Sequence, residues 1–318
     1  MVFVSFTIAP IYHLSLYPTT QIPFGGGFLL KDVPRWLRDE STLQNFSRHD
    51  RDQIKFAQHA FVAEYPDDLD DPDKDLKDKK RTVREAKFET LLLAGLALWL
   101  VDPSPASFTA VFHTTPWWPS GKERVGEPVQ ALRYVDSYSA VRVFPPHEGE
   151  FTSLTQAIRA GKFHPILLGI GRKGPVWTAT RAVWAAITTP AVDLRYLLFW
   201  IALEALFGAN DTNEIAYKLA QRITFFASDS SKQARADFRV VKQCYGMRSK
   251  IVHGKWEGDP KMAEVLKTTE EMTRKIFLYL LCHPDILAVF QSNKRDEFLE
   301  DWVFSRSTDI PTLPALGS

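Results

Sequence analysis

The chain has 318 residues, enough for one large domain or two ordinary ones, and its 45% hydrophobic and 13% aromatic content can fill a sizeable core. A charged fraction of 24% and a net charge of +1 are those of an ordinary soluble protein; they exclude neither nucleic acid nor protein partners, because a local basic face can sit inside a neutral total. The two cysteines, Cys244 and Cys282, form no CxxC or Cys/His cluster, which argues against a structural zinc site and for a reducing compartment.

Along the chain, MVFVSFTIAPIYHL lacks a basic leader and a small-residue cleavage site and reads as a strand rather than a signal peptide. Residues 2 to 30 are expected to be extended, with FGGGF at 24 to 28 as a turn between two runs. No G-x-x-x-x-G-K pattern accompanies the glycines, so a turn is preferred to a phosphate loop. The run EYPDDLDDPDKDLKDKKR, about 64 to 81, lacks the central glycine and closing glutamate of a calcium loop and is expected to be a solvated loop. A helix is predicted from Thr82 to about Val101, stopped by Pro103 and Pro105. Its apolar core, TLLLAGLALWLV, is far shorter than the roughly 20 residues of a membrane span, so a core helix and a cytoplasmic protein without a membrane partner are expected.

Residues 107 to 146 alternate again and predict strands around the loop PWWPSGKERVGEP, where Trp117 and Trp118 either pack or stack on bases. Pro145–Pro146 before HEGE marks a boundary between an α+β domain, 1–148, and a helical domain, 149–318, with a polar tail from about 305. In the second domain, Pro190 is placed to open a helix through DLRYLLFWIALEALF that stops at Gly208. Asp211 and Glu214 have capping-box spacing before IAYKLAQRITFFA. A third helix, about Lys232 to His253, puts Phe238, Val241, Tyr245 and Val252 on an apolar stripe and ends at Gly254. Asp259–Pro260 starts the last long helix, which runs to His283–Pro284, and a short one follows at about 295 to 304. Long helices with short connections imply an antiparallel bundle.

The end of the third helix, CYGMRSKIVHGKWEGD, carries Arg248, Ser249 and His253. A histidine in a last helical turn meets partial negative charge, and a small push from its ordinary pKa of about 6.5 makes it a usable acid near neutrality. An arginine fork binds phosphate oxygens two at a time and keeps its charge. Together they suffice to cleave RNA, whose 2′-OH is the internal nucleophile, with no metal. At about 100° per residue the two lie about 140° apart around the helix, so either Arg248 curls round it or a second copy of the chain completes the site. On the R-x4-H spacing alone, a solvated arginine and a helix-capping histidine are the better account, since such pairs arise by chance.

Four stretches in order resemble the Apea-like branch of the HEPN superfamily over about residues 175 to 285: the helix Trp200 to Phe207 (W-x-x-L-E-x-L-F), the L-A-x-R of Leu219 to Arg222, Tyr245-x-x-Arg248, and RSKIVHG ending at Gly254. The resemblance implies an all-α HEPN-type helical bundle that dimerises through its motif-bearing helices. In active members it also implies a metal- and cofactor-independent endoribonuclease of toxin or antiphage systems. Carried over, Arg248 binds the scissile phosphate, His253 is the general acid/base, and Ser249 fills the polar position after the arginine, often Asn, Asp or His in active nucleases. An inactive RNA-binding or scaffold module is the alternative, with the first domain sensing a ligand or partner.

Several supporting residues are expected around this motif. Glu204 lies in a strongly apolar helix and needs a partner, since an unpaired buried charge is costly; it orients Arg248 or Arg222, or faces solvent. Arg222 is a second phosphate ligand or the Glu204 partner. Lys250 and Lys255 flank the histidine and either draw in RNA backbone or are a solvated helix end, and Tyr245 is expected to pack. His113, His147 and His164 have no companions at ligand spacing, so no metal is expected.

Overall fold

The computed structural model describes residues 4–17, 21–44, 48–66, 75–103, 106, 108, 111–117, 130–137, 150–208, 215–228, 230–255 and 261–308. The chain divides into two compact units, Met1–Gly169 and Ile170–Ser318.

The first unit is built on strands β1 (Val4–Ile11), β2 (Ile22–Pro23), β3 (Phe28–Asp32), β4 (His59–Pro66), β5 (Phe112–Trp117) and β6 (Gln130–Ser137). They form one antiparallel sheet in the order β2-β3-β4-β1-β5-β6. β1 sits inside the sheet with both faces covered, which explains why both alternating sets of its sequence carry apolar members: Phe6, Thr7, Ile8 and Ala9 are all buried. One face packs Phe6, Ile8, Ala60 and Val62 against Trp36, Leu37, Leu43 and Ile54, from a 3-10 turn and two helices, α1 (Glu40–Leu43) and α2 (Arg48–Phe56). On the other face Phe61 meets Phe24, and Phe24 meets His164 of helix α4 (Leu154–Leu168), which packs on α3 (Asp75–Val101). The expected turn over FGGGF is a 3-10 turn, Gly25–Gly27, whose Gly26 has φ +70°.

Two expectations change here. The charged segment is not a loop over 64 to 81: β4 runs through Pro66 and α3 already begins at Asp75 rather than Thr82. Pro72 is the last helix breaker before α3, and DLKDKKR contains no glycine, proline or β-branched residue to oppose the helix. Helix α4 belongs to the first unit, so that unit extends to Gly169 rather than ending at 148. Ser153 caps α4 by accepting from the Gln156 N–H, and Phe151 is tied by backbone bonds to His13 and Ser15. Trp118, the remainder of the tryptophan loop to Pro128, the boundary prolines, the Asp211/Glu214 cap and Asp259–Pro260 lie outside the described residues, as do residues 309–318 of the tail.

The second unit is helical: α5 (Pro175–Thr188), α6 (Val192–Phe207), α7 (Ile215–Ala227), α8 (Ser231–Val252), α9 (Met262–Cys282), α10 (Pro284–Phe290) and α11 (Arg295–Thr308). α6 packs against α5, α8 and α9, and α7 against α8 and α11. Tyr196, Phe199, Trp200, Leu203 and Phe207 of α6 are fully buried, each removal of such a side chain from water contributing about 1.5–3 kcal/mol. α6 starts at Val192, not Pro190, because Thr189 closes α5 and the first α6 bond runs from Arg195 N–H to the Ala191 carbonyl. Gly208 ends it as expected, its N–H bonded to Glu204 O. Among the described residues no helix is long and apolar enough to cross a membrane.

Candidate active site

Helix α8 carries the motif, and both of its ends are capped. Ser230 accepts from the Gln233 N–H at 3.1 Å. At the other end His253 is the capping residue and Gly254 follows with φ +65°. The Lys255 N–H reaches the Lys250 carbonyl at 2.9 Å, and the Gly254 N–H the Ile251 carbonyl at 3.1 Å. This pair of bonds is the Schellman closure, which needs a left-handed residue where the sequence supplies glycine. It leaves the His253 side chain exposed at the tip of the helix.

One turn back, α8 is zipped to α6. The Tyr196 hydroxyl donates to the Cys244 carbonyl at 2.5 Å. Trp200 and Tyr245 meet edge to face with centroids 5.2 Å apart. The Arg248 guanidinium lies 5.7 Å from the Tyr245 ring centre and pairs with Glu204: Nη2 donates to Oε2 at 3.1 Å, and Nε lies 2.9 Å from Oε1, a close ionic contact away from hydrogen-bond alignment. Tyr196, Trp200 and Glu204 recur every four residues on α6, so they share one face and meet Cys244, Tyr245 and Arg248 in turn. Burial pushes the Glu204 carboxyl up from its ordinary value, and the Arg248 charge opposes that shift. Burial likewise pushes up the Tyr245 hydroxyl, assisted by the Glu204 charge.

No protein-family profile, curated protein or solved structure matches this chain. The residues themselves therefore carry the argument. Of those singled out in the sequence, Glu204, Arg248 and Tyr245 are brought together. Ser249 is half-buried and its carbonyl accepts the His253 N–H at 3.1 Å. Lys250 and Lys255 are exposed and share the Schellman bond. Among the described residues no bond or ring contact joins Arg248 to His253, in keeping with their angular offset on the helix.

Arg222 is corrected: it is neither the partner of Glu204 nor open to a phosphate. It is buried and bonded to Asp296 at 3.0 Å, to the Phe207 carbonyl at 3.3 Å and to Glu300 at 3.5 Å. Arg295, at the start of α11, donates to the Ala205 and Gly208 carbonyls, so α11 supplies both the carboxylates for Arg222 and the cap of α6. The acidic spacing Asp296-x-x-x-Glu300, on one helix face, is the sequence signal for this.

His164 is fully buried, with Nε2 2.9 Å from the Thr90 carbonyl and its pKa pushed down to about 4 by burial. Among the described residues no cluster of three or more His, Cys, Asp or Glu could hold a metal. The Arg248–His253 helix end combines a partly exposed guanidinium fork, hydrogen-bonded through Nη2 to the Glu204 carboxylate, with an accessible imidazole. That is an anion-binding group and a proton-transfer group on one helix end.

Proposed function

We propose that the helical unit is a HEPN-type, metal-independent endoribonuclease acting as a homodimer, and that the protein is a cytoplasmic toxin or antiphage effector. The observation that carries this reading is Arg248, a fork held by Glu204 and stacked on Tyr245 but still a quarter exposed, one turn before the exposed His253. Cleavage requires one proton to leave the ribose 2′-OH and another to reach the departing 5′ oxygen. The 2′ oxygen bonds to phosphorus as the P–O5′ bond breaks, giving a 2′,3′-cyclic phosphate and a free 5′-OH. Two His253 side chains from two copies can divide these transfers while Arg248 neutralises the phosphate oxygens. An apolar face of α6 beside Glu204 supports pairing of copies: Leu194 is 51% and Ile201 43% exposed, two turns apart on one face of a helix whose charged residues are Asp193, Arg195 and Glu204. The engagement of Arg248 by Glu204, one hydrogen bond and one close ionic contact, favours the second reading, an inactive RNA-binding or scaffold module with the first unit sensing a ligand or partner.

The test is incubation of purified protein with mixed RNA in EDTA. The wild type cuts and leaves cyclic phosphate ends, and His253→Ala loses about 100- to 10,000-fold in rate while still binding RNA. A wild type inert in EDTA, or a His253→Ala protein that cuts equally fast, removes the nuclease reading.

A further inference from the structure

α8 has an outward face that the reaction above does not use. At about 100° per residue, Lys232, Arg235, Arg239, Lys242 and Lys250 fall within a sector about 80° wide, and His253 continues it at the helix tip. All five cations are exposed. Among the described residues none of their side chains has a hydrogen bond or an ion pair. Asp237, the one acidic residue of α8, lies outside the sector and accepts from Ser228 and Gln233. Gly246 lies within the sector, and a Cβ there would meet nothing within 4 Å, so the row has an open notch before Lys250. From Lys232 to Lys250 the row is about 27 Å long at about 1.5 Å per residue.

We propose that this face is a track for the phosphate backbone of single-stranded RNA, leading the strand to His253. The proposal rests on the nuclease reading for its direction along the helix, but not for the binding itself. A row one helix wide, with charges stacked along a line, matches one strand rather than the two of a duplex. The apolar side of α8, with Val241, Cys244 and Met247, is buried in the bundle, and its two exposed valines, Val240 and Val252, lie about 120° apart around the helix, so they form no apolar stripe to enter a lipid surface. The whole chain has a net charge of only +1, so these five cations, without an ion-pair partner among the described residues, are a local feature and not general stickiness.

Each phosphate neutralised on a single strand contributes about 0.7 to the slope of log affinity against log salt, so five contribute about 3.5, or about a 100-fold loss between about 50 and 200 mM salt. The test is anisotropy of a fluorescein-labelled oligouridylate in EDTA, with the full chain carrying His253→Ala so that no RNA is cut. Adding Arg235→Gln, Arg239→Gln and Lys242→Gln reduces the loss over the same salt range to about 7-fold, from the two remaining cations. Arg235→Lys with Arg239→Lys keeps the original slope, because a phosphate track needs charge and not the fork. Thermal unfolding by circular dichroism confirms that each variant is folded. The track is overturned if the triple variant keeps the parent slope and affinity, if the parent does not bind the oligonucleotide at low salt, or if it binds phosphatidylserine vesicles in its place. A wild type that never cuts RNA, with the slopes as expected, leaves the track standing and removes only the nuclease.

Discussion

Two arginines flank the C-terminal half of α6 and have opposite fates. Arg222 is 6% exposed and is shared among Asp296, Glu300 and the Phe207 carbonyl. Arg248 is 25% exposed and, among the described residues, has one carboxylate partner. The first is consumed by the fold, because every exchange of partner would leave a buried charge uncompensated. The second can trade Glu204 for a phosphate, because both members of the pair keep contact with water. The histidines repeat the contrast: His164 is fully buried and bonded to Thr90, while His253 is exposed at a helix tip.

The contrast is broken most strongly at Arg222. Arg222→Ala leaves Asp296 to Arg295 and deletes the buried fork's hydrogen bonds to Asp296 and to the Phe207 carbonyl; at about 1.5–3 kcal/mol for each hydrogen bond of a charged group the loss is about 3–5 kcal/mol, read as a shift in urea midpoint. Arg248→Ala, measured in the same way, stays far below this if the two arginines differ as described.

Acid sharpens the contrast between the histidines. In the unfolded chain His164 takes up a proton near its ordinary pKa of about 6.5, whereas the folded ring resists down to about 4. Stability is therefore lost as pH falls from about 6.5 to 4, by about 1.4 kcal/mol per pH unit and about 3 kcal/mol in all. Urea titrations at stepped pH should show this slope, and His164→Gln should flatten it; a wild-type slope in the variant would assign the effect to another group.

The smallest effect is expected at Glu204. Its carboxyl is pushed up by burial, so its charge is held against a desolvation cost, and Glu204→Gln changes stability by under about 1 kcal/mol. The same change frees Arg248, and RNA binding should gain about 0.7 in salt slope from the added cation. A stability loss comparable to that of Arg222→Ala would mean that the Arg248 pair is also structural.

Much of the helical unit was legible because its signals are local: periodicity gave α6, α8 and α9, and Gly208 and Gly254 gave two of their ends. That Glu204 needed a cation was also legible, since a carboxylate in LLFWIALEALF demands one. Which cation was not, because Arg222 and Arg248 are equally good in sequence and the choice is made by Asp296, 74 positions beyond Arg222. The basic face of α8 is hard to read for a different reason: the apolar stripe announces the helix, and the cations opposite it pass for ordinary solvent-facing charge. In the first unit the alternation was legible in β1, but the strand order, in which β4 separates β3 from β1, depends on pairings remote in sequence. The start of α3 is hidden because its dense charge resembles that of a loop.

The bond from the Tyr196 hydroxyl to the Cys244 carbonyl has a bearing on the evolution of α8. It indexes the helix against α6 one turn before Arg248. A slip of one residue beyond that point would rotate the helix by about 100° and present Met247 or Ser249 to Glu204 in place of the guanidinium. Single-residue insertions and deletions are thus forbidden between Cys244 and Arg248, while substitutions on the outer face remain free to tune charge. The interlock separates two kinds of sequence change: those that retune the surface and those that would destroy its alignment.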